Sequence, residues 1–347
     1  SYSGNVAIVK NGKVTMQPAP ESEGILLLEE AKNYTEAPFS WNNANVYFLL
    51  TDRFNNGDTS NDHSYGRKSD GEDNIGTWHG GDFSGIVQKL DYLKSLGANA
   101  IWVTPIVEQV HGFVGGGTEQ SFPFYGYHGY WALDFTKIDK NLGTEEDFQR
   151  FVDEAHKRGS RVLVDVVMNH AGSITLKDLQ DLGMDDLIIN KETLPDDYSD
   201  YKPKGYFASW ASVNSHIDRE NKPAWKKWWG PSWVRAGLPG YDPSGDSEIT
   251  ETIAGLPDFK TEQLTPVSLP EFLKHKADTN AKELSNATVV DYLVSWHSYY
   301  VRKFGIDGFR CDTVKHVDAY AWKKLHDSAT VALKEWKAEN PTKKLDD

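Results

Sequence analysis

Residues 161–170 read RVLVDVVMNH. Val162, Leu163, Val164, Val166 and Val167 form an almost unbroken apolar run, the pattern of a strand buried on both faces of a parallel sheet. Asp165 interrupts that run, and Asn169 and His170 crowd its end. A buried carboxylate is costly unless it is paired or hydrogen-bonded. A charge in this position therefore points to the polar floor of a site.

The same rhythm extends on both sides. NVYFLLTDRF, from residue 45, reads as a strand. Ile86, Leu90, Leu93 and Leu96 repeat at helical spacing, and Gly97 stops that helix. ANAIWVTPI is the next strand. Thr144 opens a helix with Asp147 as a capping-box partner; Phe148, Phe151, Val152 and Ala155 form its apolar face. A helix near 288–304, the strand GIDGFRCD and a helix near 318–339 complete the series. Alternating strands and helices imply right-handed βαβ units and a parallel sheet. Such a series suits either an open sheet or half of a (β/α)₈ barrel, in which chemistry gathers at the C-terminal ends of the strands. Here those ends read TDRF, TPI, DVVMNH and FRCDTVKH.

Two segments stand outside the rhythm. Residues 1–38 hold two short strands around an Asn11-Gly12 turn, with a further short strand at GILLLEE. Residues 171–285 are irregular and rich in Trp, Pro, Gly and Asp, and a long irregular insert in a compact fold is usually functional. The expected layout is an N-terminal β segment at 1–38, three barrel βα units at 39–170, an inserted domain at 171–285, and a further helix, strand and helix at 286–347.

Among the 347 residues the formal net charge is −14, which argues against a nucleic-acid partner. No apolar run approaches the roughly 20 residues of a membrane-spanning helix. The single cysteine, Cys311, excludes an intrachain disulfide. The 12 Trp, 16 Tyr and 15 Phe are read mostly as a large aromatic core. VGGGT at 114–118 lacks the Lys-Ser/Thr of a phosphate loop and reads as a loop at a cleft edge.

GFRCDTVKH, residues 308–316, carries the clearest chemistry. On a strand, Arg310 and Asp312 share one face. A guanidinium beside a carboxylate favours its ionised form, and an ionised Asp suits nucleophilic attack at a sugar carbon. Taken alone, the pair is equally a structural ion pair.

DVVMNH, GFRCDTVKH, YHGYW at 127–131 and LPDF at 256–259 resemble, in order and spacing, four signature segments of the α-amylase family, glycoside hydrolase family thirteen. The resemblance runs from about residue 44 to the end. TDRFNNGDTSNDHSYGR, EQVHGFVGGGT and the Trp-rich insert are similar to the family's periplasmic members in Gram-negative bacteria. The resemblance implies the N-terminal half of a (β/α)₈ TIM barrel with a long domain inserted after the third strand. It implies an endo-acting hydrolase of α-1,4-glucans, in the periplasm or secreted, with an α-glucan as partner. A glucan transferase of the same family and a non-catalytic glucan-binding relative are the alternatives.

The resemblance also implies residue roles. Asp312 is the nucleophile and Arg310 its charge partner. His128 and His170 hydrogen-bond the sugar at the cleaved bond, and Tyr130 is the platform beneath it. Lys315 and His316 lie on the leaving-group side, and Asp165 is a supporting carboxylate. Calcium is the implied cofactor, with oxygens from Asn169, Asp258 and the backbone of His316. A second calcium would sit among Asn56, Asp58, Asn61, Asp62, Gly80 and Asp82, although family members with this loop usually have Asp where Asn56 stands.

The family's acid/base Glu belongs to a fifth strand, and no such segment precedes Asp347. Retaining glycosidases need two carboxyl groups. The expectation is therefore that this chain is one part of a longer polypeptide, whose C-terminal remainder is its partner, and that it is inactive alone.

Overall fold

The computed structural model describes residues 39–67, 75–115, 124–194 and 209–343, together with the backbone of 6–10 and 13–17. The chain divides into two compact units, Ser1–Pro38 and Phe39–Asp347. In the first, β1 (Val6–Lys10) and β2 (Lys13–Gln17) pair antiparallel with Lys10 opposite Lys13, the register that a two-residue connection requires. The strand expected at GILLLEE lies outside the described residues, as does VGGGT beyond residue 115.

The second unit is built on β3 (Val46–Leu49), α1 (Thr51–Phe54), α2 (Phe83–Ser95), β4 (Ala100–Val103), β5 (Val107–Gln109), β6 (Ala132–Ile138), α3 (Glu145–Lys157) and β7 (Arg161–Val166). An insert follows, with α4 (Leu176–Asp181), α5 (Trp210–Asn214), α6 (Lys222–Trp225), β8 (Val234–Arg235), β9 (Asp258–Phe259) and α7 (Glu271–His275). Then come α8 (Val289–Phe304), β10 (Gly308–Cys311) and α9 (Ala319–Glu339). The main sheet has the order β10-β7-β4-β3, all parallel. Its neighbours follow one another in sequence with a helix between each pair. This is the arrangement of a partial (β/α)₈ barrel.

Local chemistry explains the helices. Thr144 and Asp147 close a capping box on α3, with acids in its first turn and His156 and Lys157 in its last, complementing the helix dipole. Thr288 and Asp291 do the same for α8, which ends at Gly305. Phe83, Phe148, Phe151 and Phe304 pack together where α2, α3 and α8 meet, Phe148 against Phe304 edge to face at 5.0 Å. Four of the insert's five tryptophans are core, as the aromatic composition implied, whereas Trp210 is exposed. Trp225, Trp228, Trp229 and Trp233 are buried, and Trp233 stacks on Trp296 of α8 at 5.8 Å.

Two strands are shorter than their sequence predicts. NVYFLLTDRF is strand only through Leu49. Beyond it Thr104 accepts the Thr51 N–H, and the Asp52 carboxylate takes the amides of His79 and Gly80, so TDRF turns into α1. ANAIWVTPI stops at Val103, two residues before Pro105, which has no N–H for a ladder. The antiparallel pair β5–β6, with its irregular register, was not anticipated.

Candidate active site and cation-binding loops

Register brings the charged strand residues together. β10 pairs with β7 so that Arg310 lies opposite Asp165. Arg310 Nη1 donates to both oxygens of Asp165, at 3.1 and 3.0 Å, and to Asp312 Oδ1 at 2.7 Å. Asp165 Oδ2 also accepts the Tyr130 hydroxyl at 2.8 Å and the Trp102 indole N–H at 3.2 Å. Burial pushes the Asp165 carboxyl up to about 6, against the pull of the Tyr130 hydroxyl and the Arg310 charge. With its lone pairs occupied by donors, Asp165 is a fixed counter-charge rather than a free nucleophile. Asp312 differs: its Oδ1 is held by Arg310, and its Oδ2 takes no hydrogen bond among the described residues. Its backbone N–H donates to Val166 O at 2.9 Å, and Thr313 follows with φ of 46°, a left-handed conformation costly for a β-branched residue. The chain thus leaves the sheet sharply just after Asp312.

His128 and Tyr130 come from the segment between β5 and β6. Gly129 between them has φ of 91°, and a Cβ there would stand 2.7 Å from Pro105 O. Only glycine lets this turn press against Pro105. His128 Nδ1 accepts the Tyr130 N–H at 3.0 Å, and the two rings lie nearly parallel with centroids 5.8 Å apart. Burial first, and then the neighbouring His170, push His128 down to about 4. Burial also lowers His170, which donates from Nε2 to Tyr130 O at 3.1 Å. Both imidazoles are therefore held neutral, as partners for sugar hydroxyls would be. Tyr130, buried beside Asp165, is raised and keeps its proton.

Asn169, Asp258 and His316 also meet. The Asn169 amide N–H donates to Asp258 Oδ1 at 2.8 Å and to the His316 carbonyl at 3.2 Å. Phe259 N–H donates to Asn169 O at 2.7 Å and Ala171 N–H to Pro257 O at 3.0 Å, stitching the insert's return to the end of β7. Burial pushes Asp258 up to about 6 despite Arg235 Nη1 at 2.8 Å. His316 Nδ1 donates to the carbonyl of Glu248 at 2.6 Å, and Lys315 Nζ to the Glu248 carboxylate at 2.9 Å.

In the loop after α1, Asn56 Nδ2 donates to both Asp62 oxygens at 2.9 and 3.0 Å. Asp82 caps α2 through Gly85 N at 2.6 Å and accepts from Gly57 N, Asp58 N and Asn61 Nδ2. The side-chain oxygens of Asn56 and Asn61 are buried without a hydrogen-bond partner. Burial raises the carboxyls of both Asp62 and Asp82. Gly80 has φ of 89°, and a Cβ there would meet Asn56 Nδ2 at 2.3 Å and Asp62 Oδ1 at 2.5 Å. Asp58 is turned away: its Oδ1 accepts from Ser60 at 2.6 Å, which lowers its pKa. Among the described residues no three His, Cys, Asp or Glu side chains form a group that could hold a metal, so any ion here would need amide or carbonyl oxygens beside its carboxylates.

Three site residues escaped the sequence reading. Trp102 lies beneath Arg310, 5.0 Å from ring centroid to guanidinium carbon. Its place on β4 was legible, but not that its indole would reach across to β7. Arg235 and Glu248 belong to the insert, where no periodicity predicts which residue returns to the sheet.

The α-amylase catalytic-domain model matches residues 48–236, more than half of the 347 residues, and the chain belongs to the α-amylase family. It is 51% identical, over all of its length, to a periplasmic alpha-amylase of Escherichia coli (strain K12), of which it covers 52%. An Anoxybacillus alpha-amylase structure superposes with a TM-score of 0.50 at 28% identity, covering 86% of this chain and 47% of that one. A cyclomaltodextrin glucanotransferase gives 0.54 at 23% identity, with 84% and 48% covered, and shares the fold. The chain thus spans about half the length of these relatives.

Proposed function

We propose that this chain carries the nucleophile half of an α-amylase active site, hydrolysing α-1,4-glucosidic bonds of starch or maltodextrins with retention. The observation that carries the reading is the asymmetry of the two carboxylates on Arg310: Asp165 is saturated with donors, whereas Asp312 keeps one oxygen open. Asp312 attacks the anomeric carbon as the bond to the leaving oxygen breaks. A proton reaches that oxygen from an acid/base carboxyl in the remainder of the polypeptide, and the deprotonated group then activates the water that releases the sugar. Two inversions give net retention. His128 and His170, neutral and close to Tyr130, orient the ring over the tyrosine platform. The 51% identical relative supports hydrolysis over transfer, and the periplasm or the exterior as location. Among the described residues no helix is long and apolar enough to cross a membrane.

The donor chemistry fits calcium, which takes hard oxygen ligands. A neutral His170 that donates from Nε2 has a lone pair on Nδ1. Asn169 Oδ1 now faces that nitrogen at 3.0 Å. Turning the amide over gives His170 a donor and aims Asn169 Oδ1 at Asp258 and the His316 carbonyl. Three oxygens then converge, which favours a cation between them. Asn169, Asp258 and His316 would hold this ion, tying the insert to the sheet. The orphaned oxygens of Asn56 and Asn61, beside Asp62, Gly80 and Asp82, fit a second. Asp58, turned to Ser60, is the weakest member of that set.

We also propose that residues 171–285 act as the inserted domain between barrel segments 39–170 and 286–347. The C-terminal remainder would pair with the open edge of β10. Product analysis on maltohexaose by the full-length polypeptide tests the reading. Shorter maltodextrins of retained anomeric configuration support it, and cyclic or longer products argue for transfer.

A further inference from the structure

The turn at 244–252 closes on itself. Gly245 N–H donates to Thr250 O at 2.8 Å, the hydroxyls of Ser247 and Thr250 are 2.8 Å apart, and Thr252 N–H donates to Ser244 Oγ at 3.0 Å. From this tied loop Glu248 makes two contacts with the segment after β10. Its carboxylate accepts from Lys315 Nζ at 2.9 Å, and its carbonyl accepts from His316 Nδ1 at 2.6 Å.

The two contacts do different work. A carbonyl only accepts, so Nδ1 of His316 is the donor, and the contact fixes which way the ring faces, with Nε2 on the opposite side. The Lys315 ammonium has three donors on a flexible stem, and one contact to a rigid loop reduces its wandering. Both Lys315 and Glu248 side chains are 64% exposed, so the pair contributes little to folding. An ion pair of small stabilising value that spans two loops beside the nucleophile matters through where it holds the ammonium.

We infer that Glu248 is a positioning residue for the leaving-group side of the glucan. It fixes the Lys315 ammonium and the His316 ring to meet hydroxyls of the sugar downstream of the cleaved bond. This rests on the reading of Lys315 and His316 given above, and it adds a residue from the insert as the determinant of which bond is cut.

The test uses the full-length polypeptide with E248A, E248Q, K315A and the double variant E248A/K315A. The readouts are bond-cleavage frequencies on end-labelled maltoheptaose, KM against kcat, and thermal midpoint. E248A should redistribute the cleaved bonds and raise KM about two- to five-fold, the span of an exposed ion pair. E248Q, which keeps an acceptor for Lys315, should fall between E248A and the unsubstituted protein. The double variant should match K315A, because Glu248 acts through Lys315. An unchanged cleavage pattern in E248A, or additive effects in the double variant, overturns the inference. If the unsubstituted protein fails to cut maltoheptaose, the functional reading fails instead.

Discussion

Arg310 and Asp165 stand directly opposite each other on β10 and β7, and the same guanidinium nitrogen that binds Asp165 at 3.0 Å binds Asp312 at 2.7 Å. One cation therefore neutralises a buried carboxylate and orients an accessible one. R310A leaves both acids facing each other without their shared cation. It should lower kcat/KM by at least about 10²-fold, the scale of losing one preorganised electrostatic group. R310K should recover only part of the loss, because its ammonium rides on a flexible stem and is not held where Nη1 meets both acids. Activity within tenfold of the unsubstituted protein would refute this role.

Calcium should link the insert to the sheet through Asn169, Asp258 and His316. Chelation of the full-length polypeptide should lower its thermal midpoint. Calcium at a hundred times its dissociation constant should restore about 2.7 kcal/mol. In N169A and D258N that calcium response should shrink to what the second loop supplies. A midpoint indifferent to chelator counts against the site.

The loop at Asn56 and Asn61 predicts a second ion. Metal analysis should find two calcium ions in the full-length polypeptide and one in G80A, where a Cβ would press on Asn56 and Asp62. Equal stoichiometry in both proteins would remove the second site.

The strands at the sheet's centre and the long helices α2, α3, α8 and α9 were legible because periodicity and capping are local. RVLVDVVMNH and GFRCDTVKH announced parallel strands, and Thr144 with Asp147 announced a helix start. What escaped was set by distant partners. TDRF bends because the Asp52 carboxylate finds the amides of His79 and Gly80, and no window of sequence reports that pairing. The charged pair Arg310 and Asp312 was visible as a strand-face doublet. That Asp165 would saturate with donors, leaving Asp312 free, depended on Tyr130 and Trp102 arriving from elsewhere. The same limit hid Glu248, which reaches Lys315 across 67 positions of chain.

A pH response follows from His111, outside the candidate site. Its Nδ1 lies 2.8 Å from Asp181 and its Nε2 2.9 Å from Glu108, with Asp178 at 3.9 Å. Tyr65 stacks on it, and Arg67 and Lys177 stand nearby. Carboxylates only accept, so both ring nitrogens are protonated. Burial opposes the charge, but the bonds to Asp181 and Glu108 prevail and raise the pKa above 6.5. The stabilisation is complete below the unfolded value and is lost as pH rises through the folded one. Urea midpoints should therefore fall over that window, and H111N should flatten the decline. An identical decline in H111N would assign it to other groups.

Asp312, with one carboxylate oxygen open, is the group expected to bond to sugar. The full-length polypeptide, trapped with a fluorinated glucosyl donor that forms but does not release the glycosyl-enzyme, can be digested and sequenced by mass spectrometry. The prediction is a single hexosyl adduct on the peptide containing Arg310 and Asp312, placed on Asp312 and absent in D312N. An adduct on Asp165 or any other carboxylate, or turnover without one, would contradict it.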